Sequence, residues 1–298
     1  MVASLLAIDI GGTSVKYGLV DTAGKIVTKN KITTPRSLPE LITWLKQEAE
    51  RRRDDITGIA VSSPGSVSSH GKIYGGSAIP YIHGPNIREE IEEATDFPVT
   101  IENDANCAAL AEVWQGAAKG KQNVAVIVLG TGVGGALIHE GAIHKGNSLH
   151  AGEFGYMILN AHNFGNGMNT FSEVASTNSI VKRVAAKKGI SQDSITGEQV
   201  FQMASTGDMI AKEAIAAFQQ MLAIGIFNIQ YAYDPEVILL GGGISQREDV
   251  IPAVEEWLHE IVETIDVATV VPKIKPCYFQ SDANLLGAVQ HFLQQKRF

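Results

Sequence analysis

Apolar residues along the first third of the chain follow the spacings of strands and of one helix. Short apolar runs and alternating apolar positions predict strands at 5–8, 15–19, 25–32 and 56–62. A helix is predicted between the last two strands, because apolar residues recur every three or four positions behind Pro39. The order of strands and helix predicts an α/β domain.

A comparable order begins again near residue 122. A buried strand is predicted at 124–129, a glycine turn follows, and a second strand resumes at 136–138. When residues 12–20 are aligned with 130–138, Gly, Thr, Val and Leu recur in register, which indicates a duplicated strand–turn–strand unit. The remainder is predicted to be mainly helical, with a buried helix at 208–233, a strand at 237–240 and a closing helix at 285–293.

The chain is therefore expected to form two α/β domains without a low-complexity linker. We place the N-terminal domain at 1–117, completed by a C-terminal helix at 285–298, and the larger second domain at 118–284. The 298 residues are sufficient for two domains of this size.

Composition narrows the class of protein. The 24 basic and 32 acidic residues give a net charge of −8, which disfavours nucleic acid and anionic membranes as partners. Two cysteines cannot form a disulfide framework or a multi-cysteine zinc site. No secretory leader is evident, and the longest uncharged apolar stretch is too short to span a membrane. We expect a soluble protein of the cytoplasm.

The segment Asp9–Lys16 combines an aspartate at a strand end with a glycine turn. Backbone N–H groups in such a turn can approach a phosphate closely. Asp9 is suited to hold a hydrated Mg²⁺, and Lys16 would add positive charge beside the phosphates. The alternative is a tight β-hairpin that carries a surface aspartate.

The segment Gly130–Gly135 formally matches the dinucleotide-binding pattern but lacks the helix that this pattern requires. Strand residues follow it instead, so we interpret it as a second phosphate-binding turn. Gly241–Gly243, directly after a predicted strand, would lie beneath the nucleoside. The sequence contains no P-loop motif.

Three polar residues, Glu102, Asn103 and Asp104, stand between a predicted strand and an alanine-rich helix. A carboxylate at such a junction suits a general base, because it is rigidly placed and partly desolvated. The alternative is that Asp104 serves only as the helix N-cap.

Taken together, these motifs resemble the ROK family of sugar kinases and repressors over almost the full chain. The motifs that carry the resemblance are Asp9–Lys16, Ser63–Val67, Glu102–Asp104, Gly130–Gly135, Ala151–Gly155 and Gly241–Gly243. The resemblance implies an actin-like, ribonuclease-H-like fold with ATP and sugar in the cleft between two α/β domains. It also implies that Asp104 is the catalytic base and that Asn103 binds the sugar.

Further site residues follow from the same motifs. Glu153 and Glu173 match the sugar-hydroxyl ligands of the family, and His150 is either a sugar contact or a solvated loop residue. The remaining expected substrate-binding residues are Ser63 and Gly65. The expected ATP-binding residues are Asp9, Gly11, Gly12, Thr13, Lys16, Gly130, Thr131, Gly132, Gly134, Gly242 and Gly243.

The chain departs from the zinc-containing members of the family. The positions of their four zinc ligands hold Tyr156, Phe164, Asn166 and Phe171, so we expect Mg²⁺ and no zinc. Aromatic packing, with a contact from the Tyr156 hydroxyl, is expected to hold Glu173 instead.

The reaction that the resemblance implies is transfer of the ATP γ-phosphoryl group to a primary sugar hydroxyl at carbon 6. The loop at 75–84 and the absence of zinc ligands are similar to β-glucoside kinases, with N-acetylmannosamine kinase and glucokinase as alternatives. A sugar-responsive repressor is disfavoured, because the phosphate motif begins at Asp9 and leaves no room for a preceding DNA-binding domain. We expect a homodimer.

Overall fold

Strands and helices alternate along the chain much as the hydrophobic pattern predicts. The computed structural model describes residues 4–160 and 169–295. The strands are β1 (Ser4–Ile10), β2 (Ser14–Asp21), β3 (Asn30–Thr33), β4 (Ile56–Ser63), β5 (Ser66–Val67), β6 (Ile73–Tyr74), β7 (Val99–Asn103), β8 (Val124–Leu129), β9 (Val133–His139), β10 (Ala142–Ile143), β11 (Val237–Gly241) and β12 (Ile274–Pro276). The helices are α1 (Leu38–Arg51), α2 (Ile87–Thr95), α3 (Asp104–Trp114), α4 (Phe171–Ala175), α5 (Thr177–Lys188), α6 (Gly197–Ser205), α7 (Met209–Tyr233), α8 (Val250–Thr264) and α9 (Ala283–Gln295).

The chain divides into two compact units. The first comprises Met1–Gly120, Lys145–His150 and Tyr278–Phe298, and the second comprises Lys121–His144 and Ala151–Cys277. Helix α9 thus belongs to the first unit, where it packs on α3. The backbones of these helices meet so closely at Gly287 that a Cβ there would lie 1.7 Å from the Cys107 carbonyl oxygen.

Each unit contains a sheet with the same order of strand directions. In the first sheet the order is β3-β2-β1-β4-β7, with β2 antiparallel to both neighbours and β4 parallel to both. In the second sheet the order is β10-β9-β8-β11-β12, with β9 antiparallel and β11 parallel to their neighbours. This correspondence supports the duplication inferred from residues 12–20 and 130–138.

Helix α1 shows how local sequence and core packing agree. Ser37 caps its first turn by accepting a hydrogen bond from the Glu40 N–H, and Pro39 fits the first turn, where no N–H partner is needed. Leu41 and Leu45, four residues apart, are fully buried in the core of the first unit. The helix therefore covers one face of the first sheet.

Helix α7 is the one helix among the described residues whose length and apolar composition would suffice to cross a membrane. The central helix of a soluble core has the same properties. Phe218, Leu222 and Ile226 are fully buried in the core of the second unit. We interpret α7 as a core helix, as the sequence predicted.

The third strand is shorter than predicted. It spans Asn30–Thr33 rather than 25–32, because the preceding residues leave the regular ladder. The Leu19 N–H donates to the Thr28 hydroxyl at 3.0 Å, while the Val27 and Thr28 N–H groups both donate to the Leu19 carbonyl. This irregular pairing delays the regular strand to Asn30.

Candidate active site

Parallel strands β1, β4 and β7 bring the polar residues of the first unit to one edge of its sheet. In the strand register, Ser62 is paired with Asp9 on one side and with Glu102 on the other, and Ser63 is paired with Asn103. The carboxyl ends of parallel strands are where α/β proteins bind their ligands. The site residues predicted in the first unit therefore lie at the edge of the sheet where a ligand is expected to bind.

Asp9 is buried within a polar cluster. Its Oδ1 accepts hydrogen bonds from Ser62 Oγ and Asn284 Nδ2, each at 3.0 Å, and Lys16 Nζ lies 3.6 Å from Oδ2. The residue is only 7% exposed, so the alternative of a surface aspartate is wrong. Sequence reasoning missed Ser62 and Asn284. The only signal for Ser62 was a hydroxyl at the end of an apolar strand.

The turn after Asp9 is exposed and is anchored on one side. The Gly11 N–H donates to the Ser14 carbonyl at 3.1 Å, and Thr34 Oγ1 donates to the Gly11 carbonyl at 2.5 Å. Gly12 and Thr13 are exposed. The turn thus presents two predicted phosphate-binding residues to solvent.

Asp104 is the first residue of α3 but is not its N-cap. Asn103 is the cap, because its Oδ1 accepts from the Asn106 N–H at 3.1 Å. Asp104 Oδ1 accepts hydrogen bonds from the Ala105 N–H at 2.8 Å and from Asn103 Nδ2 at 3.0 Å. The interpretation of Asp104 as merely the helix cap is therefore wrong, and its carboxylate is held in a defined orientation.

Asn103 also joins Asp104 to the turn after β4. Its Nδ2 donates to the Gly65 carbonyl oxygen at 3.0 Å. Gly65 has φ +97°, a conformation that favours glycine. Ser63 is fully buried and its hydroxyl donates to the Pro64 carbonyl, so its contacts lie within the turn.

A buried ion pair forms at Glu102, two residues before Asp104, and no sequence pattern indicated it. Glu102 is fully buried, and Lys145 Nζ lies 2.7 Å from its Oε2. His291 Nε2 lies 3.7 Å from the same oxygen, and burial lowers the pKa of this histidine. Burial, followed by the Glu102 charge, raises the pKa of the neighbouring Cys107 thiol well above its ordinary value.

In the second unit, the glycine turn after β8 borders a pocket of about 670 Å³. The Gly130 N–H donates to the Gly132 carbonyl at 2.9 Å, and the Gly130 carbonyl accepts from the Thr177 N–H at 3.0 Å. The pocket is lined by Leu129, Gly130, Thr131, Thr177, Asn178, Val181, Gly197, Glu198, Phe201, Gly243, Ile244 and Arg247.

One wall of this pocket combines an arginine with an aromatic ring. The Arg247 guanidinium lies 4.0 Å from the centre of the Phe201 ring. Of the predicted ATP-binding residues of this unit, Gly130, Thr131 and Gly243 line the pocket, whereas Gly132, Gly134 and Gly242 do not. Gly242 serves the backbone instead, because a Cβ there would lie 2.0 Å from the Leu129 carbonyl oxygen.

The segments that carry the two predicted sugar-binding glutamates of the second unit pack together at Ser172. Glu153 begins a short turn that includes Gly155, where a Cβ would lie 2.3 Å from Ser172 Oγ. Ser172, which sequence reasoning missed, precedes Glu173, and its hydroxyl accepts from the Val133 N–H at 2.9 Å.

Glu173 caps its own helix. Its Oε2 accepts hydrogen bonds from the backbone N–H of Thr170 at 3.0 Å, the backbone N–H of Asn169 at 3.1 Å and the Thr170 hydroxyl at 3.1 Å. These bonds, that from the Thr170 N–H first, lower the pKa of Glu173 below its ordinary value. The carboxylate is thus ionised, oriented and exposed.

The expected aromatic support of Glu173 is present in one residue and absent in another. Phe171 is fully buried in the core of the second unit. Tyr156 is 75% exposed and its hydroxyl has no hydrogen bond among the described residues, so the expected Tyr156 contact is wrong. Phe164 and Asn166 lie outside the described residues. Within residues 4–160 and 169–295, no group of three His, Cys, Asp or Glu side chains is placed to hold a metal ion.

His150 lies in the segment of the first unit that interrupts the second. Its ring is exposed, and its Nδ1 lies within hydrogen-bond distance of the Ser148 carbonyl oxygen. These contacts are compatible with both of the roles considered for it.

Comparisons with known proteins identify the family of this chain. The profile of the ROK family matches residues 5–295. The β-glucoside kinase of Listeria monocytogenes is 34% identical over 98% of both chains. A ROK family protein from Streptococcus pneumoniae TIGR4, solved in complex with sucrose, is 41% identical over 99% of both chains with a TM-score of 0.91. The ROK hexokinase of Thermus thermophilus is 26% identical, with 99% of this chain and all of the other covered and a TM-score of 0.87.

The chain belongs to the ROK family. Its fold is the actin-like ATPase fold, and it is an ATP-dependent sugar kinase. The expectations from sequence about fold and enzyme class are confirmed.

Proposed function

We propose that the enzyme transfers the ATP γ-phosphoryl group to the primary 6-hydroxyl of a β-glucoside. The observation that carries the reaction is the Asp104 carboxylate, which two hydrogen bonds orient at a strand–helix junction. The substrate class is supported by identity to β-glucoside kinases of three bacteria, each aligned over 98% of this chain. The sucrose bound to the S. pneumoniae relative also supports a site that accepts a glycoside.

Asp104 acts as the general base. Its carboxylate accepts the proton of the 6-hydroxyl as that oxygen attacks the γ-phosphorus in line. Asn103 holds this carboxylate through Nδ2, and its Oδ1 retains a second lone pair for a sugar hydroxyl. Ser63 and Gly65 shape the turn to which Asn103 is bound.

The sugar is oriented by acceptors with fixed directions. Glu173 accepts from its own helix start through Oε2, so its Oε1 is directed to a sugar hydroxyl. Glu153 accepts from a second hydroxyl, and His150 contacts the sugar from its exposed loop. Fixed acceptors lower the entropy cost of aligning the attacking oxygen.

ATP binds through the glycine turns and the pocket of the second unit. The base and ribose occupy the pocket beside Arg247 and Gly243, and the turn at 130–134 contacts the phosphates. Gly12 and Thr13 bind the terminal phosphates through backbone N–H groups, and Lys16 adds positive charge. Gly11 shapes the turn, because its own N–H is bonded to the Ser14 carbonyl. The pocket volume of about 670 Å³ suits a nucleoside.

The residues at Asp9 fit a hydrated Mg²⁺. Asp9 is a single carboxylate whose Oδ2 has its nearest cation, Lys16, at 3.6 Å, and Mg²⁺ commonly keeps several waters beside one carboxylate and substrate phosphates. When bound, Mg²⁺ neutralises charge on the phosphate oxygens. Ser62 and Asn284 orient Asp9 for this role.

We also propose that the enzyme works as a homodimer in the cytoplasm, without nucleic acid or membrane partners. The net charge of −8 supports the absence of a nucleic-acid partner.

A substrate panel tests the proposed function. The enzyme is assayed with ATP and Mg²⁺ against β-glucosides such as cellobiose, and against glucose, N-acetylmannosamine and sucrose, and the products are assigned by NMR. We expect the highest kcat/KM for a β-glucoside and phosphate on carbon 6. A higher kcat/KM for a free monosaccharide, or phosphate on another carbon, would overturn the proposed substrate or regiochemistry.

A further inference from the structure

Lys145 makes two contacts within the first unit, both with residues that are distant from it in sequence. Its Nζ lies 2.7 Å from Glu102 Oε2 and donates a hydrogen bond to the Val67 carbonyl oxygen at 3.0 Å. The side chain is 23% exposed, and the carboxylate that it meets is fully buried. Lys145 thus compensates a charge that water does not reach.

Glu102 in turn holds the backbone that leads into Asp104. Its Oε1 accepts hydrogen bonds from the Asn103 N–H at 2.8 Å and from Asn106 Nδ2 at 3.0 Å. Asn103 then caps α3 and donates to the Asp104 carboxylate. A continuous chain of contacts therefore connects Lys145 to the proposed base.

The second contact of Lys145 reaches Asp104 by another route. Val67 belongs to β5, which follows directly on the turn at Gly65. The Gly65 carbonyl accepts from Asn103 Nδ2, the same group that donates to Asp104. Lys145 therefore contacts both segments that hold Asn103, because Glu102 accepts from its backbone N–H and the Gly65 turn accepts from its side chain.

Other groups near Glu102 do not replace this cation. His291 Nε2 is 3.7 Å away, and because burial lowers its pKa the imidazole is neutral at neutral pH. The charges of Asp9 and Asp104, which act on the neighbouring Cys107, are negative. The positive charge of Arg88 also acts on His291, but Arg88 is paired with Glu92, at 3.1 Å, and not with Glu102. Among the described residues, Lys145 is thus the permanent cation in contact with Glu102.

A second buried carboxylate, Glu112 on α3, is compensated without a lysine. Glu112 is fully buried, and it accepts from the backbone N–H groups of Ala117 at 2.8 Å and Phe279 at 2.7 Å. Glu112 lies at the far end of α3 from Asp104. Of the two carboxylates Glu102 and Glu112, the one that contacts a side-chain cation is Glu102, which precedes the proposed base.

We infer that Lys145 is a positioning residue for phosphoryl transfer, acting on Asp104 through Glu102 and Asn103. The inference rests on the proposed role of Asp104 as the base. Removing one partner of a buried ion pair leaves an uncompensated charge, which the structure relieves by protonation, hydration or movement of Glu102. Each of these disturbs the hydrogen bonds to Asn103, and small displacements of a catalytic group are costly in rate.

The test compares four variants: Lys145→Met, Lys145→Arg, the double variant Glu102→Gln/Lys145→Met, and Lys187→Met. Lys187 is the matched control, because it forms an exposed ion pair with Glu213. For each protein, kcat and the KM values for sugar and for ATP are measured at a temperature well below its Tm. The kcat is calculated from the concentration of folded enzyme. The sugar is the best substrate of the wild-type panel.

For Lys145→Met we expect kcat to fall about 10- to 100-fold while both KM values stay within about threefold, as a misplaced base requires. Lys145→Arg is expected to retain most of kcat. The double variant is expected to be at least about fivefold faster than Lys145→Met, since it no longer buries an unpaired charge. Lys187→Met should match the wild type.

Two results would overturn the inference: a Lys145→Met enzyme with more than half of the wild-type kcat, or a double variant no faster than Lys145→Met. If Lys145→Met fails to fold, the double variant decides: it is expected to fold and to retain measurable kcat, and a double variant that also fails to fold or is inactive would overturn the inference. Asp104→Asn is measured alongside. High activity in Asp104→Asn contradicts the proposed base, whereas an inactive Asp104→Asn beside a fully active Lys145→Met contradicts only the role of Lys145.

Discussion

At the scale of single residues, the carboxylates of this site differ in what holds them. Asp104 is held by its neighbours Asn103 and Ala105, whereas Glu173 is held by the first turn of its own helix. In both cases the donors come from within four residues in sequence. These hydrogen-bond donors to each carboxylate are therefore local, whereas distant residues position the segments that carry the carboxylates.

Glu173→Gln is predicted to weaken sugar binding without loss of the helix cap. The amide oxygen can still accept the bonds from Asn169 and Thr170, but the group loses its charge and one acceptor. We expect the KM for sugar to rise at least about tenfold, while the KM for ATP and the Tm change little. Steady-state kinetics and thermal unfolding check this, with exposed Glu213→Gln as the control. An unchanged KM for sugar would show that Glu173 only caps α4.

Residues in short motifs could be predicted from the sequence, and their distant partners could not. Asp9 and Asp104 stand in motifs whose spacing shows a strand end followed by a turn or helix. Asn284 is 275 residues from Asp9, and Lys145 is 43 positions beyond Glu102, so only the fold brings them together. The expected Tyr156 contact failed for a related reason, because nothing local indicates whether an aromatic ring in a loop is covered.

At the scale of elements, helix α4 carries Glu173 and is anchored by one aromatic residue. The Phe171 ring lies against α7 at Gly225, where a Cβ would be 2.3 Å from a ring carbon. The Phe171 N–H also donates to the Met157 carbonyl at 2.7 Å. The position of Glu173 thus depends on the packing of α4 against α7.

Phe171→Ala is predicted to raise the KM for sugar in addition to lowering stability. Truncation of a fully buried phenylalanine typically costs about 3–5 kcal/mol of unfolding free energy. The control for that loss is Phe218→Ala, because Phe218 is fully buried in the same core. We expect both variants to lower the Tm, and only Phe171→Ala to raise the KM for sugar. Equal KM values in the two variants would contradict the anchoring role.

Removal of transition metals is predicted to leave the enzyme unchanged. Four Cys or His ligands are usual for a structural zinc ion, and two of the corresponding positions are Tyr156 and Phe171. We expect kcat and Tm to be unaffected by a transition-metal chelator in excess Mg²⁺. Metal analysis of the untagged protein provides the check. Stoichiometric zinc, with activity lost on its removal, would refute the expected metal-free loop.

His291, on helix α9, is predicted to make the stability of the protein depend on pH. Burial lowers the pKa of this histidine in the folded state below its value of about 6.5 in the unfolded chain. The unfolded state therefore binds more protons below that pH, so this contribution to stability is complete above about pH 6.5 and is lost as pH falls. Urea midpoints between pH 7.5 and 5 should decline in the wild type and decline less in His291→Gln. Parallel declines in the two proteins would be the contrary result.

At the scale of the whole molecule, the chain uses one sheet pattern twice. Each sheet contains a hairpin of two strands, a third antiparallel strand on one side of the hairpin, and two parallel strands on its other side. The order of elements and motifs predicted the fold, because hydrophobic spacing and glycine turns are local signals. The inclusion of Lys145–His150 in the first unit was not predicted, because no change of composition marks the points where the chain passes between units.

The central claim is that Asp104 is the base of a sugar kinase, and kcat of Asp104→Asn tests it most directly. The amide retains the shape of the side chain but cannot accept the proton. With ATP binding and Tm measured as controls and expected to match the wild type, we predict that kcat for the preferred sugar falls at least about 100-fold. A variant that binds ATP, folds normally and keeps more than about a tenth of the wild-type kcat would contradict the account.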